Sequence, residues 1–513
     1  MVNRYYCCMT RATFALIAAL SYALATFEVS AQPVAPTKTN PLKVYMHYMP
    51  WFESPATLGG TNWGYHWQFN NRNPNIVDAS GRRQIASHFY PKIGPYASRD
   101  PHVIEYHLLL MKLSGVDGVM LDWYGVQGTN GDIGNLLTNS NAIVDRAGDV
   151  GLKFGVILED RFSTVSSSNQ TPDIAKAKAN VAYLKNNYFN NPNYIRQNSG
   201  ADPLLGVFGP IRFQTPSQWT EILAEAGEPV DFVTLWYEKN DAGAANADGE
   251  YAWIYQDAGR THLEHQSDFY RFRAPTLGTA GGAAYPGFDD YYQEGGTSTN
   301  IPFTIPHNNG QTLADTLALA SQNKSVIDFL QLATWNDFGE GTMFEPTVET
   351  GFAYLEQLQQ FTGVPYGKAE LELVYRLYRA RKDHAGDAAK QALLDQAAAS
   401  LASLDVPGAQ IAIESAAPAG DFDGDDDVDG GDFLTWQTQL GSTGLFPLND
   451  FSADGNGDGV VDAGDLALWS ASAADPLHAF ALSQITGPAV PEPRAFGQLT
   501  AAWLIIAAFV RFI

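Results

Sequence analysis

Three features of the sequence predict an α/β protein, a (β/α)8 TIM-like barrel with a small all-α calcium-binding module behind it. Short apolar runs alternate with helix-patterned stretches from Leu42 to Leu404, as repeated β-α units around a parallel sheet require. The residues that follow several of those runs are polar and aromatic, which is where a barrel keeps its chemistry. Near the end, an Asp-rich segment repeats itself at a spacing of 33 residues.

The strands predicted in order are Leu42 to Trp51, Gly115 to Trp123, Leu152 to Glu159, Pro203 to Gly209, Phe232 to Tyr237, Tyr251 to Gln256, Ala274 to Ala280 and Phe329 to Trp335. Helix patterns fall between them, for example Pro101 to Leu113 and Asp173 to Asn186, with apolar residues three and four apart. Pro101 directly after Asp100 is a helix-start signal. Eight such units close a barrel, and a doubly wound sheet has the same alternation. Long connections after the first and seventh strands predict a deep cleft. From Ala369 to Leu404 the pattern is helical and Ala-rich, and Ala416 to Gly420 reads as a linker.

With 45% hydrophobic and 12% aromatic residues against 17% charged, a chain of 513 residues can bury a large core, which excludes a disordered protein. A net charge of −25 excludes nucleic acid and anionic membrane surfaces as partners, since both need a basic face. Both cysteines, Cys7 and Cys8, sit in a leader: Arg4 and Arg11 give it a basic start, Ala12 to Phe27 is apolar, and Val29-Ser30-Ala31 supplies small residues for cleavage before Gln32. The exported protein then holds no cysteine and depends on its core for stability.

The last strand runs into TWNDFGEGT (Thr334 to Thr342), where Asp337 and Glu340 stand three apart. A turn brings two such carboxylates to one side, with Gly339 and Gly341 permitting tight backbone. Two carboxyls with different protonation states are what glycoside cleavage uses, one donating a proton to the leaving oxygen and the other acting as base. Around them, candidates for sugar contacts are Tyr48 and Trp51 in MHYMPWF, His66 and Trp67, Asp122, Trp123 and Tyr124 in LDWYG, Glu159 in LEDR, Tyr237 in WYEKN, Trp335 and Asn336, and Asp289 after the seventh strand.

The segments KVYMHYMPWF, NWGYHW, HFYPKIGPYASRDPHVIEYH, GVDGVMLDWYG and WNDFGEGTMFEP resemble, in that order, the landmark motifs of glycoside hydrolase family 99, the endo-α-mannosidases and endo-α-mannanases, from Lys43 to Pro346. That family's final loop reads approximately N-E-W-H-E-G-T. The resemblance implies that Glu340 is the general acid/base and that Asp337 stands where a Glu assists the sugar's 2-hydroxyl through a 1,2-anhydro intermediate. Asp337 is one methylene shorter than that Glu, and Gly339 replaces the His. The form W-N-D-F-G-E is also similar to family 71, the inverting α-1,3-glucanases. Together the two resemblances imply endo-type hydrolysis of an α-mannan-like or α-1,3-glucan-like polysaccharide or oligosaccharide, with no cofactor for catalysis. A non-catalytic carbohydrate binder and a calcium-dependent scaffold-associated protein are the competing readings.

DFDGDDDVDGGD and DGNGDGVVDAGD place oxygen ligands at positions 1, 3, 5, 7, 9 and 12 of a loop, the pattern of a calcium site. In the first these are Asp421, Asp423, Asp425, the Asp427 backbone, Asp429 and Asp432; in the second they are Asp454, Asn456, Asp458, the Val460 backbone, Asp462 and Asp465. Asp at position 12, followed by an apolar helix, resembles a type I dockerin and implies structural Ca2+ and a cohesin-like partner. Val490-Pro491-Glu492-Pro493, the apolar run Leu499 to Val510 and Arg511 resemble a PEP-CTERM sorting signal, implying transient membrane association, with a transmembrane helix as the alternative, on the way to the cell surface or the medium. The predicted organisation is a signal peptide (1–31), a barrel domain (41–405), a linker (406–419), a dockerin-like module (420–475) and a sorting tail (489–513).

Overall fold

The computed structural model describes residues 32–197, 200–424, 428–443, 452–456 and 459–472, in two compact units that divide between Ser415 and Ala416. The leader and the sorting tail lie outside the described residues. Among those described, no helix is long and apolar enough to cross a membrane.

In the first unit eight parallel strands close on themselves: β1 (Lys43–Tyr48), β2 (Gly118–Trp123), β3 (Lys153–Leu158), β4 (Asp202–Val207), β5 (Asp231–Leu235), β6 (Gly249–Tyr251), β7 (Thr279–Ala284) and β8 (Phe329–Leu332). β8 returns to β1 with Lys43 opposite Phe329, and β3 pairs with β4 with Val156 opposite Leu205, so no edge remains. This closure selects the barrel over the doubly wound sheet. Arg196–Gln197 adds a short antiparallel pairing to β4.

Six of the eight predicted strands lie on observed ones with their ends displaced. The other two are corrections. β6 is only three residues, 249–251, so the predicted strand from Tyr251 to Gln256 is mostly the loop beyond it. β7 begins at Thr279, and the predicted stretch from Ala274 opens with a 3-10 turn, Ala274–Thr276. The apolar residues before β7 belong to a helical segment packed against the barrel, and an apolar run does not distinguish the two.

Helix starts are as the sequence signals them. In α1 (Pro101–Leu113) the Asp100 carboxylate accepts from the His102 and Val103 amides, and Pro101 opens the first turn. In α2 (Ile174–Asn187) Asp173 accepts from Lys176. The helical stretch near the end is two helices, Lys368–Asp383 and Ala388–Ala402, and the predicted linker begins as a further helix, Val406–Ala416.

Inside the barrel, small residues on one strand face large ones on the next. A Cβ on Gly206 would stand 2.2 Å from Ile157 Cδ1, and one on Gly281 2.6 Å from the Phe329 ring, so these glycines are the space into which β3 and β8 pack. At the N-terminal end, an aspartate one residue before a strand accepts the amide of the neighbouring strand: Asp117 from Val44 (2.9 Å), Asp248 from Phe232 (3.1 Å) and Asp328 from Ala280 (2.8 Å).

The second unit is built on two helices, α3 (Gly430–Gln439) and α4 (Ala463–Ser472), around a core of Phe422, Trp436, Ala453 and Val461. The repeat is visible in its packing. The Trp436 indole donates to Asp462 O (2.8 Å) in the second loop, and Trp469, one repeat later, donates to Asp429 O (2.6 Å) in the first.

Candidate active site

Alternation along β2 sends Asp122 into the barrel and Trp123 outward, where its ring packs 5.9 Å from Tyr183 and 6.2 Å from Tyr188. Glu159 directly follows β3, and Asp337 and Glu340 lie in the turn after β8, so four carboxyl groups occupy the C-terminal end of the barrel. Asp122, Glu159 and Asp337 are buried. Among the described residues, the Asp122 Oδ2 atom has no hydrogen-bond partner.

The turn holding the last two carboxyls is tied locally. Asp337 N–H donates to Thr334 Oγ1 (2.8 Å), and Asp337 Oδ1 accepts the Glu340 amide (2.9 Å). Glu340 Oε1 accepts from the Tyr292 hydroxyl (3.0 Å), and Glu340 O accepts the Asp289 amide (2.9 Å), so the loop after β7 carries the partners of the loop after β8.

Burial pushes the Asp122 and Asp337 carboxyls well above the usual range, and each feels a neighbouring carboxylate besides, Glu159 for Asp122 and Glu340 for Asp337. Burial also pushes Glu159 up to about 7, against the pull of the Arg161 guanidinium. Glu340 rises to about 7 for the same reason, against the Tyr292 hydrogen bond and with Asp290 adding to the rise. Arg161, whose Nε reaches Glu159, is the cation that Asp122, Glu159 and Glu340 share. Four carboxyls crowded at one end of the barrel, three of them buried, do not all ionise near neutrality, so the cluster keeps protons to give.

The other predicted residues divide into two groups. Tyr124 stays with the cluster, buried against Phe162 (4.4 Å) with its hydroxyl pushed up by burial and then by Asp122 and Glu159. Half-buried Trp51 stacks on His66 at 3.9 Å and 4°, and burial pushes that imidazole down to about 3, so it is neutral. Asp289 lies on the rim, its carboxylate 3.2 Å from His88 Nδ1. Tyr237 is on the rim as well, 55% exposed.

Tyr48, Trp67, Trp335, Asn336 and Trp123 are enclosed in packing. The Tyr48 hydroxyl pairs with His107 Nδ1 (2.8 Å), Trp67 donates to Tyr96 O (2.8 Å), and Trp335 packs 5.2 Å from His107. Asn336 staples the end of β1 to the last loop, accepting from Met49 N (2.9 Å) and donating to Met49 O and the Tyr96 hydroxyl (both 3.1 Å). Tyr96 in turn donates to Glu345 Oε2 (2.6 Å). Neither Tyr292 nor the Tyr96–Glu345 pair is legible as a site residue in the sequence. Tyr292 follows Asp289 and Asp290 closely in the chain, and no spacing rule links it to a loop 48 residues away.

In the second unit, Asp421, Asp423 and Asp432 bring carboxylate oxygens within 4.8 Å of one another. Asp432 is buried and accepts the amides of Phe422, Asp423 and Asp429. Asp465 does the same for Asn456 and Asp462 in the second loop. The first loop's all-oxygen, all-carboxylate donor set fits a hard cation such as Ca2+. Asp425, Asp427 and Asp458 lie outside the described residues.

Residues 41–254 match the family model for glycosyl hydrolase family 99. Residues 419–470 match that of the dockerin type I domain. Among curated proteins, the glycoprotein endo-alpha-1,2-mannosidase of Xenopus laevis is 25% identical over 245 residues, 44% of this chain and 52% of that protein. The Rattus norvegicus protein of the same name is 25% identical over 346 residues, 60% of this chain and 69% of that protein. The chain thus spans about half the length of the first of these relatives. Among solved structures, the GH99 endo-alpha-mannosidase from Bacteroides thetaiotaomicron covers 62% of this chain and 96% of its own, at 19% identity and a TM-score of 0.49. The matched segment 41–254 contains Asp122 and Glu159, whereas Asp337 and Glu340 lie beyond it.

Proposed function

We infer that the barrel is an exported glycosidase that cleaves within an α-linked polysaccharide, mannan-like or glucan-like. The observation that carries this reading is the turn after β8, where Asp337 accepts the Glu340 amide and Tyr292 holds Glu340, with both carboxyls pushed upward by burial at the barrel end that also holds Asp122 and Glu159. A glycosidic bond needs one carboxyl that holds a proton at working pH and one that takes a proton.

Glu340, with Tyr292 fixing one oxygen and burial holding the group near 7, gives its proton to the leaving glycosidic oxygen. Asp337, whose Oδ1 already accepts a backbone amide, serves as the base, for the sugar's 2-hydroxyl in a retaining course or for water in an inverting one. Asp122 and Glu159 meet sugar hydroxyls, while Trp51, Tyr124 and neutral His66 supply faces and edges to the ring. Tyr48, Trp67, Trp123, Trp335 and Asn336 act from behind, by holding the wall in place.

Glu340→Gln and Asp337→Asn are each expected to lower turnover of α-mannan or α-1,3-glucan by roughly 10²–10⁴-fold, the usual contribution of a positioned acid or base. Full activity in either variant on whichever polymer the native protein cleaves rejects the assignment, and NMR of the first-formed anomer separates the two courses.

The second unit is read as a calcium-loaded dockerin that joins the enzyme to a cohesin-like partner outside the cell. Asp421, Asp423 and Asp432 with their counterparts Asp454, Asn456 and Asp465 hold the ions. Calorimetric titration of the full chain with Ca2+ is expected to show binding that Asp432→Ala and Asp465→Ala each reduce; a silent titration removes this part.

A further inference from the structure

Tyr237, one residue past Trp236 at the end of β5, combines two costly features. Its φ is +67°, a left-handed conformation that a bulky side chain rarely adopts, and its ring is 55% exposed. A dedicated device holds it there. Glu250 on β6 is completely buried, and its carboxylate accepts the amides of Tyr237 (2.9 Å) and Lys239 (3.0 Å), so relaxing the turn gives up two hydrogen bonds to a buried acceptor. Arg273 grips the same carboxylate through Nε (2.8 Å) from the helical segment Phe269–Arg273.

A second exposed aromatic leaves the same end of the barrel. Tyr255, beyond β6, is 43% exposed and packs 4.9 Å from His265. Tyr237 packs 6.3 Å from Phe269. His265 and Phe269 stand four residues apart on one continuous helical stretch, about one turn, so the two rings border the same short ridge. The ring neighbours of Tyr237 are Trp236 and Phe269, and those of Tyr255 are His265 and Phe303, so both rings pack on residues outside the carboxyl cluster. The ridge is therefore set apart from the cluster while sharing its end of the barrel.

We propose that Tyr237 and Tyr255 form a stacking track for an extended polysaccharide strand, a binding site distinct from the carboxyl cluster, with Glu250 and Arg273 as its positioning pair. Sugar rings present flat C–H faces that an aromatic platform can cover. Two platforms along one ridge suit neighbouring stretches of a chain better than a small sugar. The occupant's class rests on the proposed function above, and the site does not depend on turnover.

The test uses the full chain carrying Glu340→Gln, so that binding is read without cleavage, by affinity electrophoresis in gels containing α-mannan or α-1,3-glucan. Tyr237→Ala and Tyr255→Ala are each expected to weaken retention roughly three- to tenfold, as loss of one aromatic stacking contact does. Tyr237→Gly separates ring from backbone: it suits φ +67°, so its Tm should rise or hold while retention falls as in Tyr237→Ala. Tyr237→Phe should keep retention. In the active background, kcat/KM of Tyr255→Ala on a short oligosaccharide should stay within about twofold, since a remote contact engages only long chains. Unchanged polymer retention in Tyr237→Gly and Tyr255→Ala, or no retention of either polymer by the parent, overturns the proposal. Retention without hydrolysis by the native protein would sink the glycosidase reading and leave the track standing.

Discussion

Strand β2 has an aspartate just before its first residue and another next to its last, and the two ends of the barrel treat them oppositely. Asp117 accepts the Val44 amide and pairs with Lys38 and Lys43. Asp122 is buried with one oxygen unmet and other carboxyls as neighbours. The pattern extends around the barrel: Asp248 and Asp328 at the N-terminal end tie one strand to the next, whereas Glu159, Asp337 and Glu340 at the other end crowd together. Asp231 is the exception at the N-terminal end, pushed up to about 6 by burial, although Thr279 donates to its Oδ2 atom (2.8 Å). Acidic residues thus stabilise the barrel where each has its own amide or cation and strain it where buried carboxyls crowd one another. Unfavourable electrostatics concentrated at one end are what the proposed function requires of a reactive end.

The sharpest way to break this comparison is Asp122→Asn. If the mouth trades stability for chemistry, the variant should lose about 10- to 100-fold in kcat/KM, as removal of a charged contact to substrate does. It should also gain stability at pH 7, with Tm rising by roughly a few degrees. Loss of both activity and stability would mean that Asp122 is structural, like Asp117.

The matching change at the other end is Asp248→Ala. It strips the Phe232 amide of its acceptor and should cost about 1–3 kcal/mol in chemical denaturation, the penalty for a stranded buried group. Steady-state constants of the folded enzyme should not move. A change in KM or kcat comparable to that of Asp122→Asn would erase the distinction between the ends.

The sequence showed the barrel's alternation, the helix caps at Asp100 and Asp173, and the residues Asp122, Glu159, Asp337 and Glu340, because each rests on neighbours in the chain. It misplaced β6 and β7, where Gly249-Glu250-Tyr251 is too short to show a period and the apolar residues before Thr279 are helical. It also grouped aromatics by their nearness to strand ends. Trp123 and Asp122 are adjacent in sequence, yet one residue along a strand reverses the face, so only Asp122 enters the barrel. Tyr292 and the Glu250–Tyr237 tie depend on pairings between separate loops and strands, which no local pattern encodes.

The finest adjustment at the mouth is Tyr292→Phe. The Tyr292 hydroxyl donates to Glu340 and favours its ionised form, so removing it raises the Glu340 value from about 7. If protonated Glu340 is the acid, the alkaline limb of kcat/KM should move to higher pH by roughly half a unit, for an exchange of under about 1 kcal/mol. Stability supplies an independent check on the sign. Burial raises the mouth carboxyls above their unfolded values, so their contribution is full below the ordinary carboxylate range and is lost as pH rises through about 7, where Glu159 and Glu340 ionise. Raising the Glu340 value moves the upper end of that loss to higher pH, and Tm measured across pH 5 to 8 should follow the activity limb in the same direction. A limb that moves to lower pH would show that ionised Glu340 is the working form, making it the base of the pair.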